Sequence, residues 1–430
     1  MKEINFIEYE LPNGLHVILC PDKNSRIVAV DVWYHVGSKD EDPSRTGFAH
    51  LFEHMMFQGS AHVGKAEHMS YIERAGGTFN GSTTWDRTNY FETLPSDRLE
   101  LALWLEADRM SSLDISQTNL DNQREVVKEE RRWRVDNRPY GTAWEKIYSL
   151  AFRVHPYRWP VVGYMNDLDA ATVEDVRSFF AKYYVPNNAV LVLAGEFEVA
   201  SVKRSIEKYF SDIPAGASIE REFINEPPLE SGIHEIVHDI AALPAVYMAF
   251  RIPELTSDDV KALDLVAAIL TEGESSRLYK RLVYEKRIAE SVESFAVDME
   301  HPGLFIVNAV VAPGHSTEEI KNAIDAELKM IPTKSIHDQE VQKVKNQSYS
   351  HWVSRNSRAM GRAENLAHFS VFHHDTAEIN RHPGKIQSIT NEQIRSAAEK
   401  YLSTDRRVVL DYVPKIRRVS KRAGRKLTVA

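Results

Sequence analysis

Polar and apolar residues alternate over residues 4–11, and an apolar run over 15–20 comes after Pro12-Asn13-Gly14. Two strand patterns joined by Pro-Asn-Gly predict a hairpin. Residues 27–36 predict a further strand. The period then changes: residues 46–57 and 66–75 place apolar side chains three and four apart, as a helix with one buried face requires, and the second run stops at Gly76-Gly77. Residues 78–94 read as one or two strands, 99–113 and 120 to about 135 as long helices, and 173–184 as a helix leading into a strand at 189–194. Between 215 and 232, where Pro227-Pro228 and several charges fall, periodicity disappears and a linker is expected. Beyond it the pattern restarts as a strand over 245–251, helices over 257–270 and 275–284, and strands over 291–298 and 303–311.

An internal echo accompanies the restart. Thr172, Arg177, Ser178, Lys182 and Tyr183 recur, without a gap, as Thr390, Arg395, Ser396, Lys400 and Tyr401, each set on a helix leading to an apolar strand (Val190-Leu191-Val192, then Val408-Val409-Leu410). A duplication is expected: an α+β chain of two homologous halves, each a sheet covered by helices. The expected boundaries are 1–215, a linker at 216–232, and 233–430.

Composition narrows the chemistry. At 430 residues the chain exceeds one ordinary core. With 53 basic against 62 acidic side chains its net charge is −9, which argues against nucleic acid or an anionic membrane as partner. Only 415–426 concentrates basic residues, and a solvated terminus is the expectation there. Cys20 is the one cysteine, so a disulfide framework and a cysteine metal cluster are excluded and any metal must take histidine and carboxylate ligands. No apolar run reaches membrane-spanning length, and the first residues lack the basic-then-apolar pattern of a secretory signal. A cytoplasmic enzyme is expected, or a periplasmic one if a signal was removed.

Within this frame His50-Leu51-Phe52-Glu53-His54 stands out. Residues four apart share a helix face, so His50 and His54 can present both imidazoles to one ion, while Glu53 lies beside it, placed to take a proton from a metal-activated water. Phe48, Leu51, Phe52, Met55, Met56 and Phe57 make the helix apolar, and two histidines and a glutamate buried in it need a partner, which zinc supplies. A catalytic zinc takes three protein ligands and one open position. The helix over 123–132 offers the missing carboxylate, with Glu125, Glu129 and Glu130 all in contention.

His50-x-x-Glu53-His54 together with this Val-Val-x-Glu-Glu-Arg-Arg helix resembles the M16 metallopeptidases, the pitrilysin, insulysin and mitochondrial processing peptidase group. The resemblance implies that Glu130 is the third zinc ligand. It implies that Phe79, Asn80 and Gly81, in Gly76-Gly77-Thr78-Phe79-Asn80-Gly81-Ser82-Thr83, lie on a strand that binds an extended peptide, and that two halves form half of a clamshell. It extends to His155-Pro156-Tyr157 and Gly163. Two positions depart from the family. Gln123 stands where a glutamate usually orients the metal site, keeping a hydrogen-bonding shape without the charge. After Ser276-Arg277-Leu278-Tyr279-Lys280-Arg281-Leu282, gapless register puts Val283 and Glu290 where an Arg/Tyr pair binds substrate in complete enzymes; a small shift would put Arg287 and Tyr284 there instead. The function implied is a zinc metalloendopeptidase for short or unfolded peptides, with Glu53 as general base, working beside a homologous subunit that supplies the Arg/Tyr pair, or as a homodimer. A non-catalytic, regulatory subunit is the alternative. Among the other histidines, His62 and His68 are expected in solvated loop or surface positions, and His373-His374 at a surface or helix cap.

Overall fold

The structure is a computed structural model that describes residues 3–222, 224–333 and 336–415. The basic tail therefore lies outside the described residues, apart from Lys415. The first half runs β1 (Ile7–Glu10), β2 (His16–Pro21), β3 (Ile27–Tyr34), α1 (Phe48–Met55), α2 (Glu67–Arg74), β4 (Thr78–Thr83), β5 (Thr88–Pro95), α3 (Leu99–Ser111), α4 (Gln117–Arg131), α5 (Ala143–Ala151), α6 (Met165–Asp169), α7 (Val173–Tyr183), β6 (Ala189–Gly195) and α8 (Val199–Phe210). The second runs β7 (Ile233–Asp239), β8 (Ala245–Arg251), α9 (Asp258–Thr271), β9 (Ala289–Val297), β10 (Leu304–Val311), α10 (Thr317–Thr333), α11 (Asp338–Asn356), α12 (Ala359–His373), α13 (Glu378–Ser388), α14 (Asn391–Tyr401) and β11 (Val408–Pro414). Residues 275–284, expected as an ordinary helix, instead lead into a π-helical stretch at Tyr279–Glu285. A second π stretch, Arg132–Asp136, continues α4.

The two sheets repeat one topology. Sheet one is ordered β1-β2-β6-β3-β5-β4 and sheet two β7-β11-β8-β10-β9. In each, a strand from the start of the half pairs in parallel with a strand from its end, β2 with β6 and β7 with β11, and the remaining pairs are antiparallel. A parallel pair needs a long crossover, so every helix that matters for the site lies between the two paired strands. The echo seen in sequence is mechanical as well. Thr172 and Thr390 each cap a helix with the same box: the hydroxyl accepts from the N–H of Asp175 or Gln393, whose side chain accepts from the threonine N–H.

Each half lends a helix to the other. One face of sheet one (Val17, Leu19, Val30, Val32) packs on its own helices through Leu51, Phe52, Leu103 and Ile206. Its other face (Ile18, Cys20, Ala29, Trp33, Val192) packs on Ala363, Leu366 and Ala367 of α12, from the second half. Sheet two covers one face with α9, α10 and α14 and gives the other (Ala249, Leu304, Ile306, Tyr412) to Ala143, Ile147 and Tyr148 of α5, from the first. The segment expected as a linker contains neither helix nor strand among its described residues, yet it is fastened. Glu226 accepts hydrogen bonds from the backbone N–H groups of Arg153, Val154 and His155 at 2.8–2.9 Å and pairs with Arg251. Arg221 reaches Asp40 and Asn188.

Candidate metal centre

Helix α1 enters from a left-handed Gly47 (φ 86°), where a Cβ would come within 2.6 Å of Val162 O and 2.8 Å of Gly163 Cα. Only glycine allows this close approach. The buried Glu41 carboxylate accepts from the N–H groups of Gly47 (2.9 Å) and Ala49 (2.7 Å), pairing donors that the first helical turn leaves open. The helix start, and with it the azimuth of the next two turns, is thereby set.

From that start His50 and His54 project to one side, their rings 4.9 Å apart. Helix α4 brings Glu130 against them: Oε1 is 3.7 Å from His50 Nε2 and Oε2 is 3.2 Å from His54 Nε2. The other three carboxylates of α4 are engaged elsewhere, Asp121 with Arg124, Glu125 with Lys128 and Glu129 with Arg132. One donor atom from each of His50, His54 and Glu130 lies within 4.8 Å of the others. A tetrahedral zinc with bonds of roughly 2.1 Å separates its ligand atoms by about 3.4 Å, so the observed spacings fit such an ion. The donor set, two imidazoles and a carboxylate, suits zinc as well. Burial, with help from His54, lowers the His50 imidazole to about 4, so it is neutral and able to ligate at pH 7. Its Nδ1 is buried without a hydrogen-bond partner among the described residues. Burial opposes ionisation of Glu130, but the hydrogen bond with His54 and the neighbouring positive charges hold it below the ordinary carboxylate range.

Glu53 lies under strand β4. A Cβ at Gly81 would stand 3.1 Å from Glu53 Cγ, so the absent side chain makes room for the carboxylate. Burial raises the Glu53 pKa above the ordinary carboxylate value. Among the described residues β4 pairs only with β5 and forms the edge of sheet one, leaving one row of backbone groups for another strand. Its residues alternate: Phe79 (against Phe57, 5.8 Å) and Gly81 face α1, whereas Asn80 points to the opposite side, exposed, its Oδ1 accepting from Gly81 N–H at 2.9 Å. Gln123 is buried on α4, two turns before Glu130, with no side-chain hydrogen bond among the described residues.

Val283 and Glu290 do not join this group. Val283 packs into the second-half core, and Glu290 is exposed at the start of β9. Arg277 and Arg281 are spent on Glu340 and Glu327, Arg287 occupies a left-handed turn (φ 55°), and Tyr284 is 72% exposed. Of the secondary histidines, His62 bonds Asp108 at 2.6 Å, and His374 occupies the left-handed cap of α12. His68 corrects the surface expectation: it is buried, 3.1 Å from Glu92. With Glu106 these residues have the look of a second metal group, but the Arg109 guanidinium pairs with both carboxylates and already supplies the cation. Amphipathic spacing does not reveal such a network, because its members come from α2, α3 and β5.

Comparison with known proteins points one way. The family description "Insulinase (Peptidase family M16)" matches residues 16–163, and "Peptidase M16 inactive domain" matches 170–348. The chain is 31% identical to the zinc protease PqqE of Helicobacter pylori over 80% of its own length and 78% of that protein's. The crystal structure of a protease from Helicobacter pylori superposes with a TM-score of 0.92 at 28% identity, covering 96% of this chain and all of that one. The periplasmic protease PqqL from Escherichia coli shares the fold (TM-score 0.78, 18% identity), with 95% of this chain matching 47% of the longer one. Among the described residues no helix is long and apolar enough to cross a membrane.

Proposed function

The chain belongs to the M16 peptidase family, and on that premise we propose that it is a zinc metalloendopeptidase acting on short or unfolded peptides. The observation that carries the reading is the convergence of His50, His54 and Glu130 from two helices, with Glu53 on the same helix as the histidines. His50, His54 and Glu130 would hold the ion; zinc bound there supplies Lewis-acid polarisation of a carbonyl and makes water more acidic. Glu53 accepts the proton of the attacking water and returns it to the leaving amine, the work for which its raised pKa suits it. The open edge of β4 receives the peptide as an added strand, with Phe79 and Gly81 turned to the catalytic helix and Asn80 available to the peptide backbone. Gln123 lies buried two turns before Glu130 on the same helix.

The second half contributes no cationic or phenolic group at Val283 or Glu290, which supports a requirement for a partner. That partner is a homologous chain bearing the Arg/Tyr pair, or a second copy of this one. The length relation with PqqL, where one chain spans twice this one, is in keeping with a two-part assembly. Residues 1–215 then form the metal-bearing unit, 216–232 the strap and 233–430 the unit without a metal.

Elemental analysis combined with peptide cleavage tests the reading. Stoichiometric zinc, with cleavage abolished by Glu53→Gln, is the expected result. Zinc without cleavage, even with the homologous partner present, would favour the regulatory-subunit alternative, and absence of zinc would overturn the metal centre.

A further inference from the structure

Glu53 receives a single side-chain hydrogen bond among the described residues, from Thr83 Oγ1 to its Oε2 at 2.5 Å. Thr83 is the last residue of β4, two positions beyond Gly81 and four beyond Phe79, so all three face α1. The hydroxyl has one proton to give. Its other polar neighbour, Thr88 Oγ1, stands 3.5 Å away and donates to Val36 O at 2.9 Å. The Thr83 proton is thus directed to Glu53, and Glu53 Oε1 is left without a hydrogen-bond partner among the described residues. Gly81, with no side chain, lets strand and carboxylate approach closely enough for this bond.

We propose that Thr83 is a positioning residue for Glu53: it anchors one carboxylate oxygen to the peptide-binding strand and leaves the other free to exchange a proton with water. The inference rests on the peptidase reading above and deepens it. A glutamate side chain has three rotatable bonds, and a base held by one short hydrogen bond spends more of its time in reach of the reacting water. Because the anchor belongs to β4, a peptide that pairs with β4 steadies the base that will act on it. Among the described residues the Thr83 hydroxyl hydrogen-bonds to Glu53 and Thr88 and to none of His50, His54 and Glu130.

Thr83→Val keeps the shape of the side chain and removes the hydroxyl; Thr83→Ser keeps the hydroxyl. The zinc-loaded full chain is assayed on an internally quenched peptide library, alone and with the homologous partner. The expected outcome for Thr83→Val is a kcat lower by about 10- to 100-fold, with KM and zinc content as in wild type, and recovery of most of that loss in Thr83→Ser. Crystal structures of wild type and Thr83→Val should show the Glu53 carboxylate displaced in the variant. A wild-type kcat in Thr83→Val, or a loss accompanied by loss of zinc, would overturn the proposal. Should wild type itself fail to cleave, the peptidase reading falls and the crystals decide alone: a displaced carboxylate sustains the positioning role, an unmoved one ends it.

Discussion

The two halves share a strand order and part company at one helix, entered from β3 in the first half and from β8 in the second. After β3 the chain forms α1, with His50, Glu53 and His54; after β8 it forms α9, which has no histidine. Glu130, which completes the group with the two histidines, comes from α4 in the first half, whereas the topologically matching α11 sends Glu340 to Arg277. The same strand order thus carries a cluster of two histidines and a glutamate in one copy and a packed helix face in the other. The exchange of α5 and α12 ties the two copies together: α12 of the second half packs across the second face of sheet one, and α5 of the first half across one face of sheet two.

The comparison is broken most severely by Glu53→Gln. It should lower kcat by about 10²- to 10⁴-fold while zinc content stays constant, and Asp264→Asn on α9 should alter neither zinc nor kcat; peptide cleavage and elemental analysis read both. Next in size is the exchanged packing. Leu366→Ala on α12 and Ile147→Ala on α5 should each cost about 2–5 kcal/mol, and calorimetry should show one cooperative transition for the chain; two separated transitions would mean that the halves melt independently. A smaller effect is expected at the junction, where Glu300 of the second half meets His35 (2.9 Å) and Lys39 (3.0 Å) of the first. Burial opposes its ionisation, but the His35 hydrogen bond and the Lys39 charge hold its carboxyl far below the usual range. A depressed carboxyl stabilises the fold above its unfolded value and loses that contribution as pH falls toward the folded one. The advantage of wild type over Glu300→Gln, about 1–2 kcal/mol, should accordingly be complete near pH 6 and shrink as pH falls below about 4.3, as tracked by melting temperature. The smallest effect tests the repeat itself: Thr172→Ala and Thr390→Ala remove equivalent caps and should cost about 1 kcal/mol each, by denaturant titration. A marked inequality would show that one half tolerates fraying and the other does not.

What the sequence determined by itself is whatever depends on near neighbours. Strand and helix periods place most elements within a few residues, because each is set by which side chains alternate between core and water. Helix spacing puts His50 and His54 on one face, and the echo of Thr172 in Thr390 carries the duplication down to its capping boxes. Among the elements read wrongly, the π stretch at Tyr279–Glu285 keeps an amphipathic pattern that an α-helix would share, so periodicity could not separate them. The tertiary structure alone decided what depends on segments far apart in the chain. Helix spacing left Glu125, Glu129 and Glu130 open; the packing of α4 on α1 turns Glu130 to the histidines and leaves its neighbours to Lys128 and Arg132. It buried His68 with Arg109, crossed α5 and α12 between the sheets, and brought the Thr83 hydroxyl to Glu53. Those contacts depend on the angles at which helices cross and strands pair, and such angles are fixed by the fit of whole surfaces rather than by any run of neighbouring residues.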